Sequence, residues 1–288
     1  MINLKKIVLS VLILSSWGAM AQDDLLNELD TKKTEKNTTT SAFKALQIVN
    51  MQSTKLPAKG EIYILISHRF GDLSNGINNF FGLDNAFTKI GGIYGVTDGF
   101  SVGLSRHTLN KTYEIAAKYK LANQLDNGFP VSIVAYHTLD INSALSTDLY
   151  PGLKATNRLA YTTQLLVSKK FTNEFSLQLA PIFVHKNLYD GITDQKNQFL
   201  LATGARYKLT KRLSLNAEYA ARLNLPEGYT SIYHNPLSIG LDIETGGHVF
   251  QMVLSNSQAM NDVSFLTNAT GITAGKGIFF GFNMYRVF

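Results

Sequence analysis

The charged residues of this sequence fall at even intervals, and that spacing is the first clue to their chemistry. Glu61 with Arg69, Glu114 with Lys118 and Lys120, Arg206 with Lys208, Glu218 with Arg222, and Asp242 with Glu244 each share one parity within a short alternating segment. Along a β-strand, residues two apart point to the same face. Acids and bases therefore gather on one surface of whatever sheet the segments build. Two chemistries follow from a surface that carries both signs. It could line a polar pore whose charges select a solute, or it could fill a narrow interior with ion pairs. Arg206, Glu218, Arg222 and Asp242 come from adjacent segments and are expected to pair with one another. That leans toward a narrow channel or a filled interior.

The histidines invite a metal or haem reading, because imidazole is a common ligand for both. His68, His107, His137 and His185 lie near the ends of alternating segments, and His234 lies near the start of one, whereas His248 falls at the opposite end. Parity speaks against convergence. His68, His137 and His185 share the apolar face and His107 the other, which suits a polar band at a membrane interface. No metal site and no cofactor are expected. Serines and histidines are plentiful, but no spaced motif such as a nucleophile elbow is read in the chain. Glycine pairs such as Gly91-Gly92 sit inside alternating segments, where they are weak as phosphate motifs. No catalytic residues are assigned.

Twelve such segments run from Gly60 to the end of the chain, at about 61–70, 87–96, 100–108, 112–121, 129–138, 158–170, 174–185, 198–209, 213–223, 236–245, 248–256 and 276–288. Most have one apolar parity, as in Leu213, Leu215, Ala217, Tyr219, Ala221 and Leu223. The last has Phe280, Phe282, Met284 and Phe288 on one parity, interrupted by Arg286. A long apolar strand at the end of a chain is an aggregation hazard unless it is paired, so it is expected to close a barrel against the first strand. The connections alternate as well. Those after strands two, four, six, eight and ten are short, and those after one, five, seven, nine and eleven are long. Only the one after strand three breaks the rule. Outer-membrane barrels have short periplasmic turns and longer outer loops. The expected fold is an all-β, up-and-down transmembrane barrel of about twelve antiparallel strands. The paired glycines Gly246 and Gly247 fall at an expected periplasmic hairpin.

The segments before the barrel fit export. Lys5 and Lys6, the apolar run Ile7 to Leu14, and Ala19-Met20-Ala21 read as a signal peptide over residues 1–21. Removing it takes two lysines and no acid, so the formal charge falls from +6 to +4. No basic tract suggests nucleic acid. Residues 22–59 form a polar periplasmic lead-in in which Ser41 to Lys55 could be a plug inside the barrel, a helix at its base or an extra strand. Residues 60–288 are the barrel. Without cysteine there is no lipid-modified N-terminus and no disulfide framework.

Several blocks carry a resemblance: HRFG at His68 to Gly71, GLDNA at Gly82 to Ala86, TGGHVFQ at Thr245 to Gln251 with Asn256-Ser257 beyond, and the GFNMYRVF ending. Together they resemble an uncharacterised outer-membrane β-barrel family of Bacteroidetes-type bacteria. The resemblance implies fold and location and supplies no catalytic residues. The expected partners are outer-membrane lipid, the barrel assembly machinery that would meet Phe280, Phe282, Met284 and Phe288, and a periplasmic or surface protein if the barrel serves as an anchor. The expected function is a narrow channel or a small-solute binding and transport barrel, with a non-conducting anchor as the alternative. The inward charges assigned to it are Glu61, Arg69, Glu114, Lys118, Arg206, Glu218, Arg222, Asp242 and Glu244.

Overall fold

Alternation decides the architecture. Segments with one apolar and one small or polar parity build a sheet with one oily and one wet face. Left open, such a sheet would expose two edges of unpaired backbone. The computed structural model describes residues 39–148, 150–225, 232–272 and 277–288, and in it the sheet is closed. The strands are β1 (Ile62–Asp72), β2 (Ala86–Thr97), β3 (Phe100–His107), β4 (Thr112–Ala122), β5 (Ser132–Asn142), β6 (Leu159–Lys170), β7 (Phe175–Lys186), β8 (Asn197–Lys208), β9 (Leu213–Arg222), β10 (Leu237–Thr245), β11 (His248–Ser255) and β12 (Phe279–Val287). Each pairs antiparallel with its sequence neighbours, and β12 pairs with β1 from Tyr63↔Val287 to Arg69↔Gly281, with a register shift before Asp72↔Phe279. The expected signal peptide and the lead-in as far as residue 38 lie outside the described residues.

The barrel is inside out relative to a soluble protein. Ile64, Leu104, Ile115, Leu201, Leu215 and Phe250 are exposed on its outer face, while Ser101, Gln164, Gln178, Asn216, Gln251 and Asn283 are buried within it. A bilayer demands this arrangement, since a cation on the lipid face costs about 2–4 kcal/mol at mid-depth.

Strand boundaries depart most from expectation at β5, which starts at Ser132 and runs on to Asn142. Pro130 has no N–H to give a ladder, and Asn142 continues the pairing by facing Thr112. The short connection after β3 is a 3₁₀ turn at Leu109–Lys111, tightened by positive φ at Asn110 and Lys111. Gly246 and Gly247 join β10 to β11, whose terminal pair is Thr245↔His248, and Gly246 has φ +38°. One α-helix, α1 (Asp262–Thr267), interrupts the connection between β11 and β12.

Candidate functional site

The lumen holds a piece of the chain itself. Residues 42–54, apart from the half-buried Lys44, are buried inside the barrel. They form a tight hairpin in which Ile48 N donates to Met51 O at 2.7 Å and Ser53 N to Leu46 O at 3.0 Å. Of the three placements open in the sequence, the structure has the plug. Its apolar side chains reach the wall on several sides. Phe43, Ile48 and Val49 pack with Val253, and Ala45 and Leu46 pack with Tyr63, Leu65 and Tyr285. The wall makes room with glycine. A Cβ at Gly204 would come within 2.3 Å of Ile48 Cδ1, and one at Gly240 within 3.0 Å of Val49 Cγ2.

Two inward charges grip this hairpin by its backbone. At its tip, the Glu218 carboxylate accepts from Val49 N at 3.0 Å, Asn50 N at 2.8 Å and Met51 N at 2.9 Å. At its base, Lys118 Nζ donates to the carbonyls of Leu46 at 3.2 Å, Ser53 at 3.0 Å and Lys55 at 3.2 Å. An anion therefore satisfies the turn's orphan donors, and a cation satisfies the base's acceptors. Amides complete the hold: Gln251 donates to Ile48 O at 2.7 Å, Asn283 to Val49 O at 2.8 Å and Gln178 to Gln52 O at 2.7 Å. Arg69, fully buried, donates to Asn50 Oδ1 at 2.8 Å and to Asn283 Oδ1 at 3.0 Å.

The expected mutual pairing among Arg206, Glu218, Arg222 and Asp242 gives way to these contacts. Arg206 pairs with Glu244 at 2.7 Å and bonds Ser214, Asp242 accepts from Gln251 at 2.5 Å, and Arg222 reaches Tyr233 O. Glu61 stands just before β1, half-buried, and accepts from Ala58 N at 2.8 Å where the plug leads into the wall. Glu114 belongs to a second insert. Its carboxylate takes Lys89 Nζ at 2.8 Å and Asp262 N at 3.0 Å. Asn261 donates to Asp140 at 2.6 Å, and Lys186 holds Asn268 at 2.9 Å. These bonds dock α1 inside the wall, where Phe265 and Leu266 join Met51 of the plug, Leu166 and Leu200 in one apolar cluster. Burial, and then the adjacent Glu114, push the Asp262 carboxyl up to about 7. The plug enters from the end that holds the tight turns, and α1 enters from the end that holds the long loops.

Between the plug and the β1–β4 wall a void of about 40 Å³ remains. At the loop end, above α1, a cavity of about 400 Å³ opens among Asp140, Arg158, Lys186, Asp194 and Asn261.

Lys89, Asp140 and Lys186 were missed by the sequence reading, although they lie on the inward parity of their strands. The outward histidines are engaged singly. His68 bonds Thr88 at 2.9 Å, His137 bonds Thr163 at 2.8 Å, and His185 bonds both Asn197 at 2.6 Å and Asn187 at 2.9 Å, so each is held apart from the others. Among the described residues no group of three or more His, Asp or Glu could hold a metal. His107 is buried beside Ser105 at 3.2 Å, but Glu114 bonds that serine and not the imidazole, so a nucleophile–base–acid order is lacking. Contrary to the sequence reading, an elbow-spaced motif is present, Gly99-Phe100-Ser101-Val102-Gly103, but it lies at the start of hairpin strand β3, which ends in a 3₁₀ turn and not an α-helix. On β12, Phe280, Phe282 and Met284 face outward and Phe288 is exposed.

Residues 43–288 match the model of a family described as a membrane bound beta barrel domain, DUF5777. No curated protein sequence matches the chain. Among solved structures, the KdgM porin in complex with disordered oligogalacturonate aligns at 12% identity and TM-score 0.50, over 78% of this chain and 99% of that one. An outer membrane channel from Pseudomonas putida F1 aligns at 14% identity and TM-score 0.45, over 81% and 97%. The Acinetobacter baumannii outer membrane protein Omp33 aligns at 11% identity and TM-score 0.41, over 81% and 100%. At these identities the first of the three bears on the fold alone.

Proposed function

The chain belongs to the DUF5777 family of membrane-bound β-barrel domains, and from that premise we propose that it is an outer-membrane passage for a small polar solute, closed at rest by its own N-terminal plug. One observation carries the reading. Two of the wall's charges and three of its amides are spent on the plug's backbone, with Glu218 on the tip, Lys118 on the base, and Gln178, Gln251 and Asn283 between them. Withdrawing the plug leaves a lumen lined in part by Glu218, Lys118, Gln178, Gln251 and Asn283, and in part by the apolar patch of β5 to β9 that α1 covers. A barrel built only to anchor a partner has no use for a wall that becomes hydrophilic once a tethered segment leaves. In this reading the end of the barrel where Thr39 N donates to Gln124 O at 3.1 Å faces the periplasm, and tension or a bound protein there draws the hairpin out. Residues 1–21 direct export, the chain sits in outer-membrane lipid, and its role is passage and not catalysis.

The test is a liposome-swelling assay comparing the mature chain with a variant lacking residues 22–59. Slow swelling by the mature chain and rapid swelling by the truncated one are expected. A truncated barrel that is folded, as shown by its heat-modifiable migration, and still leaves the vesicles impermeable would overturn the passage and favour the non-conducting anchor.

A further inference from the structure

We infer that the cavity at the loop end is a binding site for a neutral, polyhydroxylated solute of about the size of a mono- or disaccharide. The inference rests on the reading of the barrel as a passage, since it names what that passage takes.

Size comes first. The cavity measures about 400 Å³, within the range of roughly 300–1,000 Å³ usual for small-molecule sites. The chemistry of its wall comes second. Its charged residues are two acids and two bases, Asp140 and Asp194 against Arg158 and Lys186. They are already engaged: Lys186 pairs with Asp194 at 2.7 Å, Asp140 accepts from Asn261, and Arg158 donates to Asn142 O at 3.3 Å. Two acids against two bases, one pair of them in a salt bridge, give the wall no excess of either sign, which disfavours both an anion and a cation. Between these charges stand carboxamides, among them Asn142, Asn157 and Asn268, which offer donors and acceptors side by side. Apolar faces from Phe87 and Tyr233 share the wall. Amides, paired charges and an aromatic face suit hydroxyl-bearing rings, whose edges hydrogen-bond and whose faces are apolar.

Donor supply comes third. Asp140 Oδ1 and Asn261 Oδ1 are both buried in the floor without a hydrogen-bond partner. A buried acceptor left unmade costs about 1–3 kcal/mol. The floor is thus short of donors, and a ligand rich in hydroxyls brings what it lacks. The floor also reports inward. Asn261 leads into α1, and α1 packs in one apolar cluster with Met51 of the plug. A solute held here sits on the element that touches the gate.

Saturation-transfer difference NMR on the detergent-solubilised mature protein tests the site, with sucrose as the probe and choline and succinate as the charged controls. Saturable transfer to sucrose is expected, at least fivefold above either control. It should fall at least fivefold in Ser264→Trp, which fills the cavity from α1. Leu145→Trp, on the outer loop that borders the cavity, serves as a second filling variant if the first does not fold. Absence of transfer to sucrose in the folded wild type overturns the inference. So does equal transfer to a charged control, or transfer undiminished in a folded filling variant. The two readings fail separately. Swelling by the truncated barrel without sucrose transfer removes the site alone. Sucrose transfer without swelling removes the passage and leaves a surface receptor for the same solute.

Discussion

Glu218 shows how one residue can set the state of the barrel. Its carboxylate accepts from three consecutive backbone donors, at 2.8–3.0 Å, in the tightest part of the hairpin. A hydrogen bond to a charged group contributes about 1.5–3 kcal/mol, and a buried donor stripped of its partner costs about as much again. Glu218→Gln removes the charge, leaves one oxygen for three donors and turns an amide N–H toward the tip. The expected loss of plug binding is about 2–4 kcal/mol, a shift of roughly 30- to 800-fold in the ratio of closed to open barrels. In a planar bilayer the variant should therefore gate open far more often than wild type at the same voltage. Matching opening frequencies would show that the clamp does not hold the plug. Parity made Glu218 legible in the sequence as an inward charge. Its partner was not legible, because its donors lie 167–169 residues away in a segment with no strand period.

At the scale of the element, the strands were readable and the inserts were not. Strand period survives in sequence because one face meets lipid and the other a polar lumen. The plug is buried on every side, so neither a period of two nor one of 3.6 marks it. The signal that could have found it is indirect: inward glycines Gly204 and Gly240, on the strands flanking Glu218, leave space for Ile48 and Val49. The same holds for α1. Val134, Leu166, Ala180, Ile182, Leu200, Ala202 and Ala220 form an apolar patch on the inward parity of β5 to β9, which is a reason for some insert to cover it. β12 carries its own prediction. Its outward Phe280, Phe282 and Met284, with the exposed Phe288, form the strand that an assembly machinery would meet, while Arg286 lies over the Phe288 ring at 4.6 Å. Phe288→Ala removes that last aromatic and keeps the backbone bonds that residue 288 exchanges with Ile62 of β1, and outer-membrane levels should fall severalfold on immunoblots of fractionated cells. Undiminished levels would show that the terminal residue is not the signal.

The whole molecule is asymmetric from end to end, and the asymmetry fixes how it must sit if the gate is to work. The tight turns and the entry of the plug share one end, and the long connections, α1 and the 400 Å³ cavity share the other. A plug tethered to a periplasmic lead-in can be pulled only from the periplasm, and a vestibule can collect solute only from outside. The orientation that satisfies both places the turn after β6 inside and the connection after β7 outside. The chain contains no cysteine, so single substitutions report cleanly. Tyr189→Cys, in the long connection, should react with a membrane-impermeant maleimide on intact cells, and Asn173→Cys, in the tight turn, only after the outer membrane is broken. The reverse pattern would put the entry of the plug on the outer surface, where no periplasmic pull could reach it, and would overturn a gate opened from the periplasm.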